Sequence, residues 1–480
     1  MASPKKNFVY NIIYQILVMI IPLVTAPYLS RVVGKAGVGI YSYTYSIVYY
    51  FMLLTLLGVN NYGNRSIAKA REEKGKLSKT FWSIYFLQLI MGTLMIIMYL
   101  GYVFIFDNQY RTIALIQTLF IVSSMLDINW FFFGMEEFKK TITRNTFVKI
   151  GNALLIFLLV KNRNDIWKYT LIMSGMTCLS QIILWGFLKK YVKFEKIGLH
   201  DIKKHLKPNL VLFIPVIAVS LYKIMDKIML GAMSSVSEVG LYENAEKIVS
   251  MPSTFIAALG TVMLPRMANL TAKGDNKKAE EYISKSEKFV MFMSLAMCCG
   301  LIGIGYKFAP FFFGKEFQKT GILIMLLSTT LPFLSFANVL RTQYLIPKEE
   351  DKIYIKSVFL AAVVNLIMNF IFIPLYGSIG ACFGTIAAEF SVMFYQSWAV
   401  RKELPIKEYI ANSVPFLIKS IIMLIVIYPF NYIEMNSLVR LIIQVGLGCI
   451  VYGLLNIKYI LSIVDIKKII NKVFKKKSIS

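Results

Sequence analysis

Long apolar runs, separated by short clusters of charged residues, recur along the whole sequence. Each is close to the length of about 20 residues at which an apolar helix crosses the hydrocarbon core of a membrane. Only 16% of the 480 residues are charged and 57% are hydrophobic, whereas soluble proteins carry about 25% charged residues. We therefore predict an all-α integral membrane protein, which excludes a soluble enzyme, a secreted disulfide scaffold and a disordered chain.

Fourteen of these runs qualify as transmembrane helices. Their predicted limits are 8–30, 38–60, 80–104, 112–134, 146–160, 167–188, 209–231, 247–265, 289–306, 320–340, 354–374, 378–399, 409–431 and 438–462. The connections are short, and no G-x-x-x-x-G-K-[ST] nucleotide-binding loop occurs. The five cysteines all fall within apolar runs without a C-x-x-C pair, which indicates small core side chains. We expect no catalytic site, no cofactor and no metal.

The basic residues are distributed unevenly between the two sets of alternate loops. Of the 53 lysines and arginines, 39 lie in or bordering one set together with both tails, 11 lie in or bordering the other set, and the remaining three are Lys223, Lys227 and Lys419. Cytoplasmic loops of membrane proteins carry such an excess, so both termini are predicted in the cytoplasm. This topology explains the net charge of +27, and nucleic acid is not expected as a partner.

A short element occurs twice, about 200 residues apart. Val38–Tyr41 (V-G-I-Y) leads into the second predicted helix, and Val239–Tyr242 (V-G-L-Y) leads into the eighth. A basic residue followed by a glycine precedes each copy, which makes Arg31 the predicted counterpart of Lys227. Internal repeats of this kind are the usual architecture of secondary transporters.

Longer motifs follow one another between Asn11 and about Arg401. They are Pro27–Gly34 (P-Y-L-S-R-V-V-G), Gly39–Ser42, Leu57-Gly58 with Tyr62–Arg65, Asp127–Glu136 (D-I-N-W-F-F-F-G-M-E), Asp226–Gly231 (D-K-I-M-L-G), Phe313–Phe317 (F-G-K-E-F) and Gly380–Glu389. In this order, they resemble the motifs of the Wzx-type polysaccharide repeat-unit flippases, which belong to the multidrug/oligosaccharidyl-lipid/polysaccharide exporter superfamily.

The resemblance implies a fold of two pseudo-symmetric six-helix bundles around a central cavity, plus two C-terminal helices. The implied limits are 1–195 for the N-terminal bundle, 196–405 for the C-terminal bundle, and 406–480 for the extra helices with a basic cytoplasmic tail. The implied function is alternating-access transport of undecaprenyl-diphosphate-linked oligosaccharide across the bacterial cytoplasmic membrane, for surface polysaccharide. The implied partners are this lipid-linked substrate, membrane lipids, and a polysaccharide polymerase or glycosyltransferases.

Two other function classes fit parts of the sequence. An ion-coupled drug or metabolite antiporter has the same fold, although usually with twelve helices rather than fourteen. A membrane glycan polymerase or glycosyltransferase is the third possibility. It is less favoured because such enzymes generally need catalytic residues on a sizeable extramembrane loop, and no outer loop here is long enough.

Cations within the membrane are candidates for binding an anionic diphosphate, because a charge in this layer costs about 2.5–3.5 kcal/mol even on lenient scales. Lys223, Asp226 and Lys227 stand at i, i+3 and i+4, so they share one helix face. The alternatives are a structural Lys223–Asp226 ion pair and a Lys227 side chain that reaches the headgroups. Arg31 offers several donors suited to phosphate oxygens, and Lys419 is expected to face a groove.

Buried acids are candidates for coupling ion entry to transport. Glu389 lies midway along the twelfth predicted helix, where a carboxylate must be protonated, be paired, or exchange an ion. Asp226 and Asp127 are the other candidates. Asp127 lies close to Asn129, which is also a candidate sugar contact, and the alternative for both is helix capping or hydrogen bonding.

Aromatic side chains are candidates for stacking on sugar rings. Tyr41 and Tyr45 share one face of the second predicted helix, which carries three further tyrosines. The alternative is that they pack within the protein or lie at the membrane interface, where tyrosine is common.

Overall fold

A computed structural model describes residues 4–106 and 109–463, with side chains from Ile20 onward except that of Phe138. The regular structure of these residues is helical. The helices are α1 Pro4–Leu56, α2 Val59–Ala70, α3 Lys74–Ile105, α4 Arg111–Met125, α5 Asn129–Gly134, α6 Phe138–Leu159, α7 Ile166–Leu188, α8 Leu199–Met233, α9 Val236–Ala272, α10 Asn276–Phe313, α11 Gln318–Ser328, α12 Thr330–Leu340, α13 Asp351–Tyr376, α14 Ser378–Val400, α15 Ile406–Ile427, α16 Ser437–Leu455 and α17 Ile457–Ile463. The predicted all-α fold is confirmed.

The first helix is long enough for two membrane crossings. Its 53 residues extend about 80 Å at 1.5 Å per residue, against a hydrocarbon core of about 30 Å. It breaks at Gly34, where φ is 69° and ψ is 178°, a conformation that glycine adopts readily. In the described residues, 13 segments are long and apolar enough to span a membrane. The first of them contains this break, so the predicted pair 8–30 and 38–60 is found.

Two predicted helices are divided in the structure. The run 112–134 forms α4 and α5, with residues 126–128 outside both helices, and the run 320–340 forms α11 and α12. The latter continues into a π-helical turn, Arg341–Leu345. Hydropathy does not detect such breaks because apolar residues continue through them while only the backbone hydrogen bonding changes.

The described chain forms two compact units. The first unit comprises the chain up to Asn244 together with Phe312–Phe317 and Val358–Ala388, and the second comprises Ala245–Phe311, Gln318–Ser357 and the chain from Glu389 onward. The bundle boundaries after residues 195 and 405, expected from the resemblance, stay predictions.

In the first unit, two of the sequence motifs pack against each other through their glycines. A Cβ atom on Gly63 of α2 would lie 2.5 Å from the ring of Trp130 in α5. A Cβ atom on Gly134 of α5 would lie 2.7 Å from Cβ of Ile67 in α2. Larger side chains would separate these helices, so the glycines allow α2 to contact the buried aromatic side chains of α5.

The two copies of the repeated element contact each other within the first unit. A Cβ atom on Gly39 would lie 1.6 Å from the carbonyl oxygen of Val236, and one on Gly240 would lie 2.0 Å from that of Lys35. Val236 precedes Gly240 by four residues, and Lys35 precedes Gly39 by four residues. The contact is therefore reciprocal, as a pseudo-twofold axis passing between the two glycines requires.

A second pair of contacts has the same offset of 201 residues. The Asn244 side-chain amide donates to Ser30 Oγ at 2.8 Å, and the ring of Tyr43 lies against Gly231. Residue 30 plus 201 is 231, and 43 plus 201 is 244, so these contacts are equivalent under the same axis. The predicted equivalence of Arg31 and Lys227 is therefore wrong, because an offset of 201 residues makes Arg31 equivalent to Ala232.

The second unit holds its C-terminal helices through buried amides as well as apolar packing. Asn431 donates to the carbonyl oxygen of Gly303 in α10 at 2.7 Å, and Gln444 of α16 donates to the same oxygen at 3.3 Å. Because hydrocarbon supplies no hydrogen-bonding groups, these amides fix α15 and α16 to α10.

Candidate functional site

Asp226, on α8 in the first unit, lies at the centre of a buried polar cluster. Its side chain is 1% exposed, and its Oδ2 atom accepts hydrogen bonds from the hydroxyls of Tyr242 (3.0 Å) and Thr385 (2.7 Å). Its Oδ1 atom accepts from the amide nitrogen of Asn369 at 2.6 Å. That nitrogen also donates to Asn365 Oδ1 at 3.1 Å. Helices α8, α9, α13 and α14 therefore converge on one carboxylate.

Close packing of α13 and α14 brings the two asparagines to this position. A Cβ atom on Gly384 would lie 2.1 Å from Asn369 Oδ1, and one on Gly380 would lie 2.1 Å from the carbonyl oxygen of Phe372. These glycines form the small-residue face that lets transmembrane backbones approach closely. Asn369 Oδ1 is buried and makes no hydrogen bond with the described residues, so the cluster has unused polar capacity.

The cluster is suited to a proton or a small cation rather than to an anion. Asp226 makes no ion pair within the described part of the chain; its partners are hydroxyls and an amide. The expected pairing with Lys223 is not found, because Lys223 is exposed while Asp226 is turned toward α13 and α14. A carboxylate surrounded by hydroxyl and amide oxygens is the ligand type that hard cations prefer.

Lys227 forms a mostly buried ion pair with Glu243 of α9. Lys227 Nζ lies 2.7 Å from a Glu243 carboxylate oxygen, and the two side chains are 11% and 16% exposed. The alternative in which Lys227 reaches the headgroups is therefore wrong. Sequence analysis missed Glu243, although it directly follows the repeated element Val239–Tyr242.

The predicted tyrosines lie beside this ion pair. The rings of Tyr41 and Tyr45 stack with centroids 5.7 Å apart, and Tyr169 of α7 contacts the Tyr41 ring edge-on at 4.7 Å. Tyr45 interacts electrostatically with Lys227 and Glu243, and Tyr169 with Glu243. We call these five residues the tyrosine–ion-pair cluster. Its aromatic faces and paired charges are the groups that a sugar and a phosphate would contact.

Arg31 lies at the break in α1, next to the F-G-K-E-F motif. A Cβ atom on Gly314 would lie 3.3 Å from Arg31 Cγ. In the same motif, Glu316 forms an ion pair with Arg163, and its carboxylate lies beside Gly34. Two motifs distant in sequence thus meet at one end of the first unit, where Arg31 is exposed.

Asp127 and Asn129 belong to a hydrogen-bond network at the start of α5. Asp127 Oδ1 accepts from the backbone N–H (2.8 Å) and the side-chain amide (2.6 Å) of Asn129. Asn129 Oδ1 in turn accepts from Arg144 at 2.9 Å, and Arg144 donates to Gln181 Oε1 at 3.2 Å. The geometry supports the hydrogen-bonding alternative for both residues. Arg144 and Gln181 were not recognised in the sequence.

The remaining two candidates lie in the second unit. Glu389 is 7% exposed on α14. Lys419 of α15 is half-buried and donates to Asn456 Oδ1 at 3.2 Å. The three predicted cations of the first unit do not form one group, because Lys227 is in the tyrosine–ion-pair cluster, Arg31 is at the α1 break, and Lys223 is exposed. Lys419 belongs to the second unit.

Solved structures share this fold. The lipid II flippase MurJ in an inward closed conformation is similar with a TM-score of 0.78 and 18% identity, over 94% of this chain and 100% of that chain. An inward-facing multidrug resistance MATE family transporter of the MOP superfamily is similar with a TM-score of 0.58 and 13% identity, over 82% of this chain and 98% of that chain.

Curated relatives and a family model match the sequence. A putative O-antigen transporter of Escherichia coli (strain K12) is 24% identical over 402 residues, 81% of this chain and 94% of that protein. A probable low-salt glycan biosynthesis flippase, Agl15 of Haloferax volcanii, is 23% identical over 63% of this chain and 64% of that protein. The model of the polysaccharide biosynthesis protein family matches residues 5–271. Because this match covers more than half of the sequence, the chain belongs to the polysaccharide biosynthesis protein family.

Proposed function

We propose that the chain is a flippase that moves undecaprenyl-diphosphate-linked oligosaccharide repeat units across the bacterial cytoplasmic membrane by alternating access. The observation that carries the proposal is the tyrosine–ion-pair cluster, which places a cation and aromatic faces together inside a membrane bundle. The names of the Escherichia coli and Haloferax relatives, an O-antigen transporter and a glycan flippase, support the same function.

Within this function, Lys227 is the cation assigned to the diphosphate. Glu243 neutralises it at 2.7 Å, so a diphosphate would compete with Glu243 for Lys227. Tyr41 and Tyr45 are assigned to stacking on the sugar next to the diphosphate. The exposed Arg31 and Lys223 would attract the anionic substrate.

The acid assigned to coupling is Asp226. Its carboxylate is buried, accepts hydrogen bonds from neutral donors, and has an unused asparagine oxygen beside it. A proton or a monovalent cation bound there would neutralise the carboxylate and change how α8, α9, α13 and α14 pack. Glu389 and Lys419 are assigned no step in this scheme.

The chain acts as a transporter without chemistry of its own, and we place both termini in the cytoplasm. The orientation rests on the 39 basic residues in one set of loops and tails against 11 in the other. A polymerase and glycosyltransferases are the proposed partners, because they make and use the lipid-linked oligosaccharide on the two sides of the membrane.

Depletion of the protein should trap glycan-loaded lipid carrier, because an unflipped substrate cannot reach a polymerase on the outer face. The measurement is the amount of lipid-linked oligosaccharide extracted from a depletion strain, relative to surface polysaccharide. Accumulation of the lipid with loss of surface polysaccharide is expected. Normal surface polysaccharide without accumulation, together with sensitivity to cationic drugs, would indicate an antiporter instead.

Variants of the Lys227–Glu243 pair should show whether the pair serves stability alone or transport as well. Lys227→Gln or Glu243→Gln alone removes one partner of a mostly buried ion pair and should destabilise the protein by about 3–5 kcal/mol. The double variant should recover the unfolding temperature, because neither charge remains. It should not recover the amount of surface glycan per molecule of membrane-inserted protein. Lys223→Gln is the stability control, since Lys223 is exposed. Recovery of both quantities in the double variant would make the pair purely structural.

Asp226 should bind the coupling ion in purified protein. A ligand at 100 times its Kd stabilises the folded state by about 2.7 kcal/mol, so the unfolding temperature should rise with sodium chloride relative to choline chloride, or when the pH falls. Asp226→Asn should abolish that response, whereas Asp127→Asn, another membrane acid in the first unit, should keep it. A wild-type protein insensitive to both conditions, or an unchanged response in Asp226→Asn, would contradict the assignment.

A further inference from the structure

The second unit contains a small polar cavity that the proposed transport does not use. Its volume is about 230 Å³, and it lies between the start of α10, the π-helical turn after α12, and the loop that follows α14. Its polar lining residues are Thr271, Asn276, Glu280, Gln343, Tyr344, Lys348 and Glu403.

The floor of this cavity carries a polar side chain with no partner. Gln343 is 1% exposed, and neither its amide oxygen nor its amide nitrogen makes a hydrogen bond with any described residue. A buried amide without hydrogen-bond partners is destabilising. The π-helical turn Arg341–Leu345 presents it to the cavity, and such turns are frequent at functional sites. A polar occupant of the cavity would satisfy both amide atoms.

The rim of the cavity is already neutralised. Glu403 accepts a hydrogen bond from the Tyr344 hydroxyl, and Lys348 Nζ lies 3.0 Å from Glu403 Oε2. These hydrogen bonds from Tyr344 and Lys348 hold the pKa of Glu403 below its usual range. Glu403 is therefore a paired carboxylate, and it does not explain the unsatisfied floor.

About one helical turn along α10 from the cavity lies a buried carboxylate with no hydrogen-bond partner among the described residues. Glu280, Ile283 and Glu287 follow one another along a single face of α10, and the first two line the cavity. Glu287 is 1% exposed, and neither of its oxygens makes a hydrogen bond within the described structure. Its helix neighbours Ile283, Val290 and Met291 belong to an apolar cluster, so an ionised Glu287 would be strongly disfavoured.

One buried hydroxyl lies near both Glu280, at the cavity, and Glu287. Tyr409 of α15 is 2% exposed, and its hydroxyl has no hydrogen-bond partner in the described residues. It interacts electrostatically with Glu280, Glu287 and Glu408. The titratable groups in this region are those three acids, Glu403, Lys348, Tyr344 and Tyr409. No lysine or arginine forms an ion pair with Glu287 in the part of the chain that the structure describes.

We propose that Glu287 is a proton-binding site of the second unit, which exchanges protons with one face of the membrane through the Gln343-lined cavity. A hydronium ion in the cavity transfers its proton to a Glu287 carboxylate oxygen and becomes water, so one O–H bond breaks and another forms. That the cavity opens to the cytoplasm rests on the proposed orientation. The site is separate from Asp226, which lies in the first unit.

Dicyclohexylcarbodiimide tests this proposal because it reacts with protonated carboxyl groups within membranes. The measurement is the mass-shifted Glu287 peptide from inverted membrane vesicles and from right-side-out vesicles, each over a range of bath pH. Labelling in inverted vesicles should fall about tenfold for each pH unit once the bath deprotonates the group, and the adduct should disappear in Glu287→Gln. Right-side-out vesicles should show no response to bath pH.

The Gln343→Leu variant tests the path. A leucine of nearly equal size removes the polar floor, so the labelling should lose its response to bath pH. Gln396→Leu is the matched control, because Gln396 is a buried glutamine that donates to Ser357 outside the cavity, and its labelling should still respond. The proposal would be overturned if Glu287 is not labelled, or if its labelling does not depend on bath pH in either kind of vesicle. It would also be overturned if the response to bath pH is unchanged in Gln343→Leu. A response only in right-side-out vesicles would retain the site and reverse the orientation.

Discussion

The structure depends on one constraint: hydrocarbon supplies no partner for a polar or charged group. Every such group must therefore be satisfied within the protein or serve a function. The chain meets this constraint by pairing. Lys227 is neutralised by Glu243, and Asp226 is held by hydroxyl and amide donors. The groups that stay unpaired within the described residues, such as Glu287 and Gln343, then identify where protons or substrate enter.

Close helix packing through glycine is what makes this pairing possible. The reciprocal contact of Gly39 with Gly240 brings the two copies of the repeated element together. It positions Tyr41 and Glu243, each a few residues further along, on neighbouring helices. Gly384 likewise admits Asn369 to Asp226. The repeat is thus the crossing point around which the first unit places its charged and aromatic side chains.

The sequence predicted the positions of the helices well, but it did not predict which of their side chains form pairs. Apolar runs located every long helix, because burial in lipid requires length and hydrophobicity alone. Spacing placed Lys223 and Asp226 on one face, yet they do not pair, since contacts with α13 and α14 decide where Asp226 points. Glu243 was missed because no local pattern shows which distant helix completes a pair. The repeated element itself has an offset of 201 residues, but only the contacts of Ser30 and Gly231 show that this offset also holds for the residues before it.

The most direct test of the account is the movement of substrate between leaflets. Purified protein would be reconstituted in vesicles with lipid-linked oligosaccharide that carries a fluorescent sugar, and a membrane-impermeant quencher would be added outside. We predict that the fluorescence protected in the inner leaflet is lost when the protein is present and is retained in protein-free vesicles. Inner-leaflet fluorescence that survives in vesicles containing the folded protein, with either coupling ion supplied as a gradient, would contradict the proposed function.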